Sequence, residues 1–203
     1  MDWLALFSHQ PVLPSLCHEH DIGQVPPHVT AVLISRGSLF DVPDMVARLK
    51  RMGKRVLVQV DLLDGYGKDK SVVEYFAQAL KIDGIITPNA TLIDAARRNQ
   101  ILAVQRVFLH DSIALEKGLK VVKSSRPDFL ELLPGPLVPD VLPLIRKEVF
   151  VPVMAAGFIR TADQARAILN AGAVAVDTSC KALWGLSRAD LGVRPLETTG
   201  MPR

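Results

Sequence analysis

The stretch AAGFIRTADQARAILNAGAVAVDTS, residues 155–179, puts a glycine at the end of one apolar run and a Thr-Ser pair at the end of the next. Groups of this kind hold anions. Gly157 lets the backbone come close to a ligand, and the amides of Gly157, Phe158 and Ile159 can point donors at it, joined by the amides and hydroxyls of Thr178 and Ser179. The following CKALWGL reads as a helix start whose dipole adds partial positive charge. Either half alone is an ordinary turn or cap. Both together, at the ends of adjacent strands, favour a phosphate site, although many barrels of different chemistry share that feature.

Other polar groups also end apolar runs. VQVDLLDGYGKD carries Gln59 and Asp61 on one face, Gln105 and Arg106 close a second run, Glu131 precedes a rigid LPGP turn, and Asp177 precedes Thr178. Carboxylates such as Asp61 and Glu131 suit the hydroxyls of a polyol. Gln59 and Gln105 serve equally as ligand contacts or as satisfied interior amides. Arg106 either faces an anion or points into the helical layer. Cys17-His18-Glu19-His20 follows the first run and, with Asp177 and Cys180, offers ligand types that zinc accepts. Histidines on an irregular loop are more often solvated, so neither a metal nor a cofactor is expected; Cys17, His18, His20 and Cys180 are the residues to inspect.

These groups need a scaffold. Apolar runs near 11–16, 29–34, 55–60, 83–87, 102–107, 128–132, 151–155 and 173–177 alternate with helical patterns. The helices carry start signals: Asp41 with Pro43, a Ser71–Glu74 capping box, Asp111, and a Thr161–Gln164 capping box. Gly53, Gly118 and Gly172 fall near helix ends. Eight strands alternating with helices in 203 residues predict a single-domain (β/α)8 TIM-type barrel over 1–186, with a doubly wound open sheet as runner-up. Gly23 and Pro26-Pro27 shorten the first crossover, and the polar stretch 187–203 reads as a disordered tail.

Composition narrows the classes. Hydrophobic residues make up 49% of the chain, too many for a disordered protein and suited to strands buried under helices. Charges interrupt every apolar stretch before it could span a bilayer, and the N-terminus lacks the pattern of a signal peptide, so a cytoplasmic protein with reduced Cys17 and Cys180 is expected. The net charge of +3, from 24 Lys+Arg and 21 Asp+Glu, permits an acidic partner without requiring one. Basic clusters at 48–55, 96–98 and 117–126 lie late in helices, where cations also complement the helix dipole.

The blocks VQVDLLDGYGKD, DGIIT, VQRVFLHDSIALEKG, RPDFLELLPGPL and AGFIRTADQARAILNAGAVAVDTSCKALW resemble, in order and spacing, those of the glycerol-3-phosphate-responsive antiterminator family, from about Pro11 to Trp184. The resemblance implies a barrel and a regulator rather than an enzyme. Its members bind glycerol 3-phosphate as effector and act on leader mRNA of glycerol operons so that transcription passes a terminator. On this resemblance the phosphate falls to Gly157 and Thr178-Ser179, and the hydroxyls to Asp61 and Glu131. With aromatics at only 5%, RNA contact is expected through Lys and Arg rather than through stacking. A homo-oligomer is possible, and no membrane partner is expected. Two rival functions remain: a phosphosugar isomerase or aldolase with Glu131 or Asp61 as base, and a metal-dependent hydrolase using residues 17–20. Against the first, no lysine sits at a strand end.

Overall fold

In the computed structural model, which describes residues 2–196, eight short apolar segments form parallel strands. They are β1 (Val12–Leu16), β2 (Ala31–Ile34), β3 (Arg55–Gln59), β4 (Gly84–Thr87), β5 (Leu102–Phe108), β6 (Phe129–Leu133), β7 (Val153–Ala156) and β8 (Ala175–Thr178). Each pairs with its neighbours in sequence, and β8 closes the barrel on β1, with Val12 beside Val176 and Pro14 beside Thr178. This is the expected (β/α)8 barrel in one domain. The helices are α1 (Trp3–His9), α2 (Val42–Arg51), α3 (Lys70–Gln78), α4 (Ala90–Arg98), α5 (Ser112–Ser125), α6 (Val138–Ile145) and α7 (Ala162–Asn170). The β1–β2 crossover holds only a 3-10 turn, Glu19–Gln24, as its glycine and prolines predict.

Strand side chains alternate between the barrel interior and the helical layer, because the strand period is two. Leu13, Leu33, Leu57, Ile86, Val104, Phe129, Met154 and Ala175 fill the interior. Residues of opposite parity, such as Val32, Val58 and Ile85, pack beneath the helices. Helix α1, unforeseen in the sequence, closes the N-terminal end: Trp3 and Phe7 are buried, and the Phe7 ring meets Phe129 edge-on at 5.6 Å.

Two of the expected helix starts are as read. Asp111 accepts from Ala114 N at 2.7 Å, and Thr161 and Gln164 cap each other's amides. Asp41 precedes α2, but its carboxylate binds Ser38 rather than the helix. The capping box at Ser71 is corrected: Asp69 is the cap, because its carboxylate reaches the amides of both Ser71 and Val72. The helix expected in CKALWGL is a three-residue 3-10 turn, Lys181–Leu183, because Gly185 adopts φ +82° and the Trp184 indole turns back to donate to Thr178 O. A turn so short supplies no helix dipole to an anion.

The tail expected to be disordered from Ser187 is corrected over 187–196. Leu191 and Val193 are buried, Arg188 donates to Val174 O at 2.7 Å, and Arg166 of α7 donates to Leu191 O at 2.7 Å. An apolar pair and a satisfied guanidinium dock this segment without any periodic pattern. The remainder of that expected tail, 197–203, lies outside the described residues.

Gly118 lies in the middle of α5 rather than near its end. A methyl group there would come within 2.5 Å of Val107 Cγ1 on β5. Replacing a mid-helix glycine by alanine ordinarily stabilises by about 1 kcal/mol. Here overpacking reverses the sign: Gly118→Ala is expected to destabilise by roughly 1–3 kcal/mol in urea titration, and adding Val107→Ala should restore part of the loss. A Gly118→Ala protein more stable than the parent would show that α5 does not press on β5 at this point.

Candidate functional site

The parity that makes the interior apolar places a polar layer above it at the C-terminal ends of the strands. Ser15, Ser35, Gln59, Arg106 and Asp177 line one cavity of about 570 Å³ with Gly157, Phe158, Ile159, Arg160, Thr178, Ser179 and others. Below it, Arg106 Nε donates to Glu131 Oε2 at 2.5 Å, and its Nη2 lies 3.9 Å from Asp177 Oδ2. All three are buried, Glu131 completely.

One guanidinium does not balance these acids. Burial pushes the Asp177 carboxyl well above the ordinary range, and the Glu131 charge pushes it further; Arg106 and a hydrogen bond from Ser15 oppose this. Asp177 and Glu131 lie within hydrogen-bond reach of each other, so a proton on Asp177 lets it donate. Glu131 Oε1, Asp177 Oδ1 and Asp61 Oδ2 are buried acceptors with no donor among the described residues. Asp61 sits just beyond β3, and its charge acts on Arg106. Asp61 and Glu131, foreseen as polyol acceptors, are thus set with Asp177 around one guanidinium, although of the three only Asp177 lines the cavity.

Gln105 does not join them. Its Nε2 donates to Pro88 O at 2.7 Å and its Oε1 accepts from Ser125 at 3.1 Å, on the helical side of β5. Adjacent residues on a strand face opposite ways; with Arg106 inward, Gln105 is excluded from the mouth. Gln59 is buried and faces the cavity.

The phosphate side of the cavity is built by the loop after β7. Gly157 at φ +76° and Phe158 at φ +59° are both left-handed, which is strained for a phenylalanine. This geometry leaves the amides of Gly157, Phe158, Ile159 and Ser179 without a protein acceptor among the described residues. Gln164 holds the end of the loop by accepting from Arg160 N and Thr161 N. Thr178 lines the cavity, and its hydroxyl donates to Ile159 O at 2.6 Å and accepts from Cys180 N at 3.0 Å, which fixes the loop. Arg36 and Arg160, both exposed, line the same cavity. Sequence reasoning missed them, and their signal is position: Arg36 stands in the loop after β2 and Arg160 in the loop after β7.

Residues 17–20 form a latch. Asp21 accepts from Cys17 N and His18 N and pairs with Lys181 Nζ at 2.6 Å, tying the first crossover to the turn after β8. The His18 and His20 rings stack at 5.2 Å, and Cys180 Sγ donates to Arg160 O. Among the described residues, no three His, Cys, Asp or Glu side chains gather as metal ligands. No lysine lines the cavity.

The basic clusters are largely spent within the fold. Arg48 pairs with Glu19, Lys50 and Arg55 with Asp83, Arg98 with Asp94, Lys120 with Glu116 and Lys123 with Glu148. Lys54 is buried against the carbonyls of Pro27 and Val29. A second hollow, of about 610 Å³, lies at the opposite barrel end beside α1. Its polar groups are engaged structurally: Arg55 binds Asp83, and Asp128 accepts from Ala103 N. Among the described residues no helix is long and apolar enough to cross a membrane.

Comparison with known proteins places this site in context. The family model for the glycerol-3-phosphate responsive antiterminator matches residues 12–184. The glycerol uptake operon antiterminator regulatory protein of Listeria monocytogenes is 31% identical, with a TM-score of 0.82 over 86% of this chain and 95% of its own. A glycerol uptake operon antiterminator-related protein of Thermotoga maritima is 30% identical, with a TM-score of 0.78 over 88% and 99%. The Escherichia coli protein YgcP is 32% identical over 75% of this chain and 79% of its own length.

The buried acids yield a prediction about stability. Asp177 is protonated in the native state at pH values where the unfolded chain has released that proton, so native stability falls as pH rises from about 4 toward the raised native value. Asp177→Asn removes that titration and keeps a donor toward Glu131. Its melting temperature is expected to exceed the parent's at neutral pH and to converge with it at about pH 4. Arg106→Met, which strands Glu131, should instead cost roughly 3–5 kcal/mol in denaturant titration, much of it recovered by adding Glu131→Leu. Destabilisation by Asp177→Asn at neutral pH would show that the native carboxyl is ionised.

Proposed function

The chain belongs to the glycerol-3-phosphate-responsive antiterminator family, and from that premise we propose that it binds glycerol 3-phosphate in the barrel mouth and, so loaded, engages leader mRNA of glycerol genes in the cytoplasm. The observation that carries this reading is the polarity of the site. Unpaired amide donors at Gly157, Phe158, Ile159 and Ser179 lie at the rim, and the acceptors Glu131, Asp177 and Asp61 lie toward the interior. A phosphorylated polyol has the matching polarity, an anion at one end and hydroxyl donors at the other.

In this arrangement the phosphate takes the rim amides, with Arg36 and Arg160 adding positive potential. The hydroxyls donate to Glu131, Asp61 and Asp177, with Gln59 free to donate or accept. Arg106 pairs with Glu131, and Thr178 and Gln164 hold the loop. The family is one of regulators, and a cavity without a lysine supports binding rather than Schiff-base chemistry. The protein's own oligomeric state can be read in the same experiments by light scattering.

Glycerol 3-phosphate at a hundredfold excess over its Kd is expected to stabilise the protein by about 2.7 kcal/mol, read as a rise in Tm. Gly157→Val has steric room, its nearest neighbour being Leu133 Cδ2 at 3.5 Å, but a β-branched residue at φ +76° distorts the loop. Affinity for every phosphate should fall. Glu131→Gln should spare inorganic phosphate and reduce the preference for glycerol 3-phosphate. A folded Gly157→Val protein that binds glycerol 3-phosphate like the parent would place the phosphate elsewhere, and the absence of any shift in the parent would refute the effector.

A further inference from the structure

The mouth of the barrel carries an exposed apolar rim that ligand binding does not explain. Phe40 is 85% exposed after β2, Phe158 is 70% exposed after β7, and Phe108 is 42% exposed at the end of β5, with Leu62, Ile113 and Leu137 also exposed at this end. Soluble proteins expose such groupings mainly where something binds. Each ring stands on constrained backbone. Phe40 N donates to Ser38 Oγ, and the preceding Leu39 N donates to Asp64 O at 2.9 Å. Leu109 N, next to Phe108, donates to Leu133 O, and the Phe108 ring stacks on His110 at 5.8 Å and 18°. Phe158 is held in its left-handed conformation.

Charge decides the class of partner. Arg36 and Arg160 are exposed at the same mouth and take part in no ion pair among the described residues, whereas the basic clusters on the helices are mostly neutralised. Neighbouring carboxylates fold back onto their own loops: Asp41 on Ser38, Asp69 on Ser71 and Val72, and Asp111 on Ala114. Fixed aromatic faces with unpaired guanidiniums on the same loops after β2 and β7 suit unpaired bases and the phosphates that link them. They do not suit duplex RNA, whose bases stack on one another.

We infer that the C-terminal rim of the barrel is a stacking platform for single-stranded RNA, with Phe40, Phe108 and Phe158 as base-stacking groups and Arg36 and Arg160 as phosphate contacts. This rests on the effector reading only for its regulation. The Phe158 amide borders the effector cavity while its ring faces outward, and Arg36 and Arg160 border both, so the two ligands meet at these three residues. RNA recognition by stacking reverses the expectation from composition: three of the seven phenylalanines are exposed at the ends of barrel strands on this side.

The test is fluorescence anisotropy with labelled oligoadenylate and with a matched RNA duplex, each with and without saturating glycerol 3-phosphate. The parent is expected to bind the single strand in preference to the duplex, and its affinity is expected to change when effector occupies the cavity. Phe40→Ala and Phe108→Ala, which leave the effector cavity intact, should each weaken single-strand binding on the order of tenfold while retaining the parent's rise in Tm with glycerol 3-phosphate. Equal affinity of both variants and parent, preference for the duplex, or no binding of the single strand overturns the platform. So does a loss of self-association in the variants by light scattering with RNA binding unchanged, which would make the rim a contact between copies of this chain. If the parent shows no rise in Tm but the ring variants lose RNA, the platform stands and the effector reading falls.

Discussion

The buried pair of Arg106 and Glu131 fixes what the mouth of this barrel can hold. Two charges removed from water cost several kcal/mol each unless they meet directly and their remaining valences are filled. Here they meet, but Glu131 is also within reach of Asp177, and Asp61 adds a further negative group to the same guanidinium. Burial and this surplus of acid together push the Asp177 carboxyl well above its usual range. The surplus of acid disfavours an anion in the interior, and on the proposed reading the anionic end of a ligand stays at the rim beside the unpaired amides. On that reading the orientation of a bound phosphate ester follows from the balance of charge on β5, β6 and β8.

The loop after β7 connects this interior to the surface. It has little freedom: Thr178 holds it from β8, Gln164 holds it from α7, and Gly135 N donates to Gly157 O from the loop after β6. A methyl group on Gly135 would overlap Ile159 at 2.6 Å, so the contact between the two loops is close. Strain at Phe158 persists because these attachments over-determine the backbone around it. The same few residues therefore present donors inward and an aromatic ring outward.

The strands were legible because each is a short apolar run bounded by breakers, and the closed barrel followed from their number and alternation with helices. The acids at Asp61, Glu131 and Asp177 were legible as groups ending those runs. Parity was not: Gln105 and Arg106 are adjacent, and only the pairing of β5 with its neighbours decides which one enters the barrel. Helix α1 escaped notice because seven residues carry too little periodicity to announce a helix. Arg36 and Arg160 look like any surface arginine until the cavity is seen between them. The cationic clusters misled in the other direction, since Glu19, Asp83 and Glu148, which neutralise Arg48, Lys50 and Lys123, lie far off in sequence and come close only in the fold.

The packed interior has a consequence for the kinetics of anything bound in the mouth. With Leu33, Leu57, Val104 and Met154 filling the barrel below it and Trp3 and Phe7 seated under Phe129, the mouth is a blind well. A small molecule that enters at the top leaves by the same opening. A macromolecule lying across that opening therefore slows the escape of whatever lies beneath it, and the complex outlasts a fall in the free concentration of the small molecule by the residence time of its cover. On the proposed reading, a barrel filled below its mouth is a short-lived timer as well as a sensor.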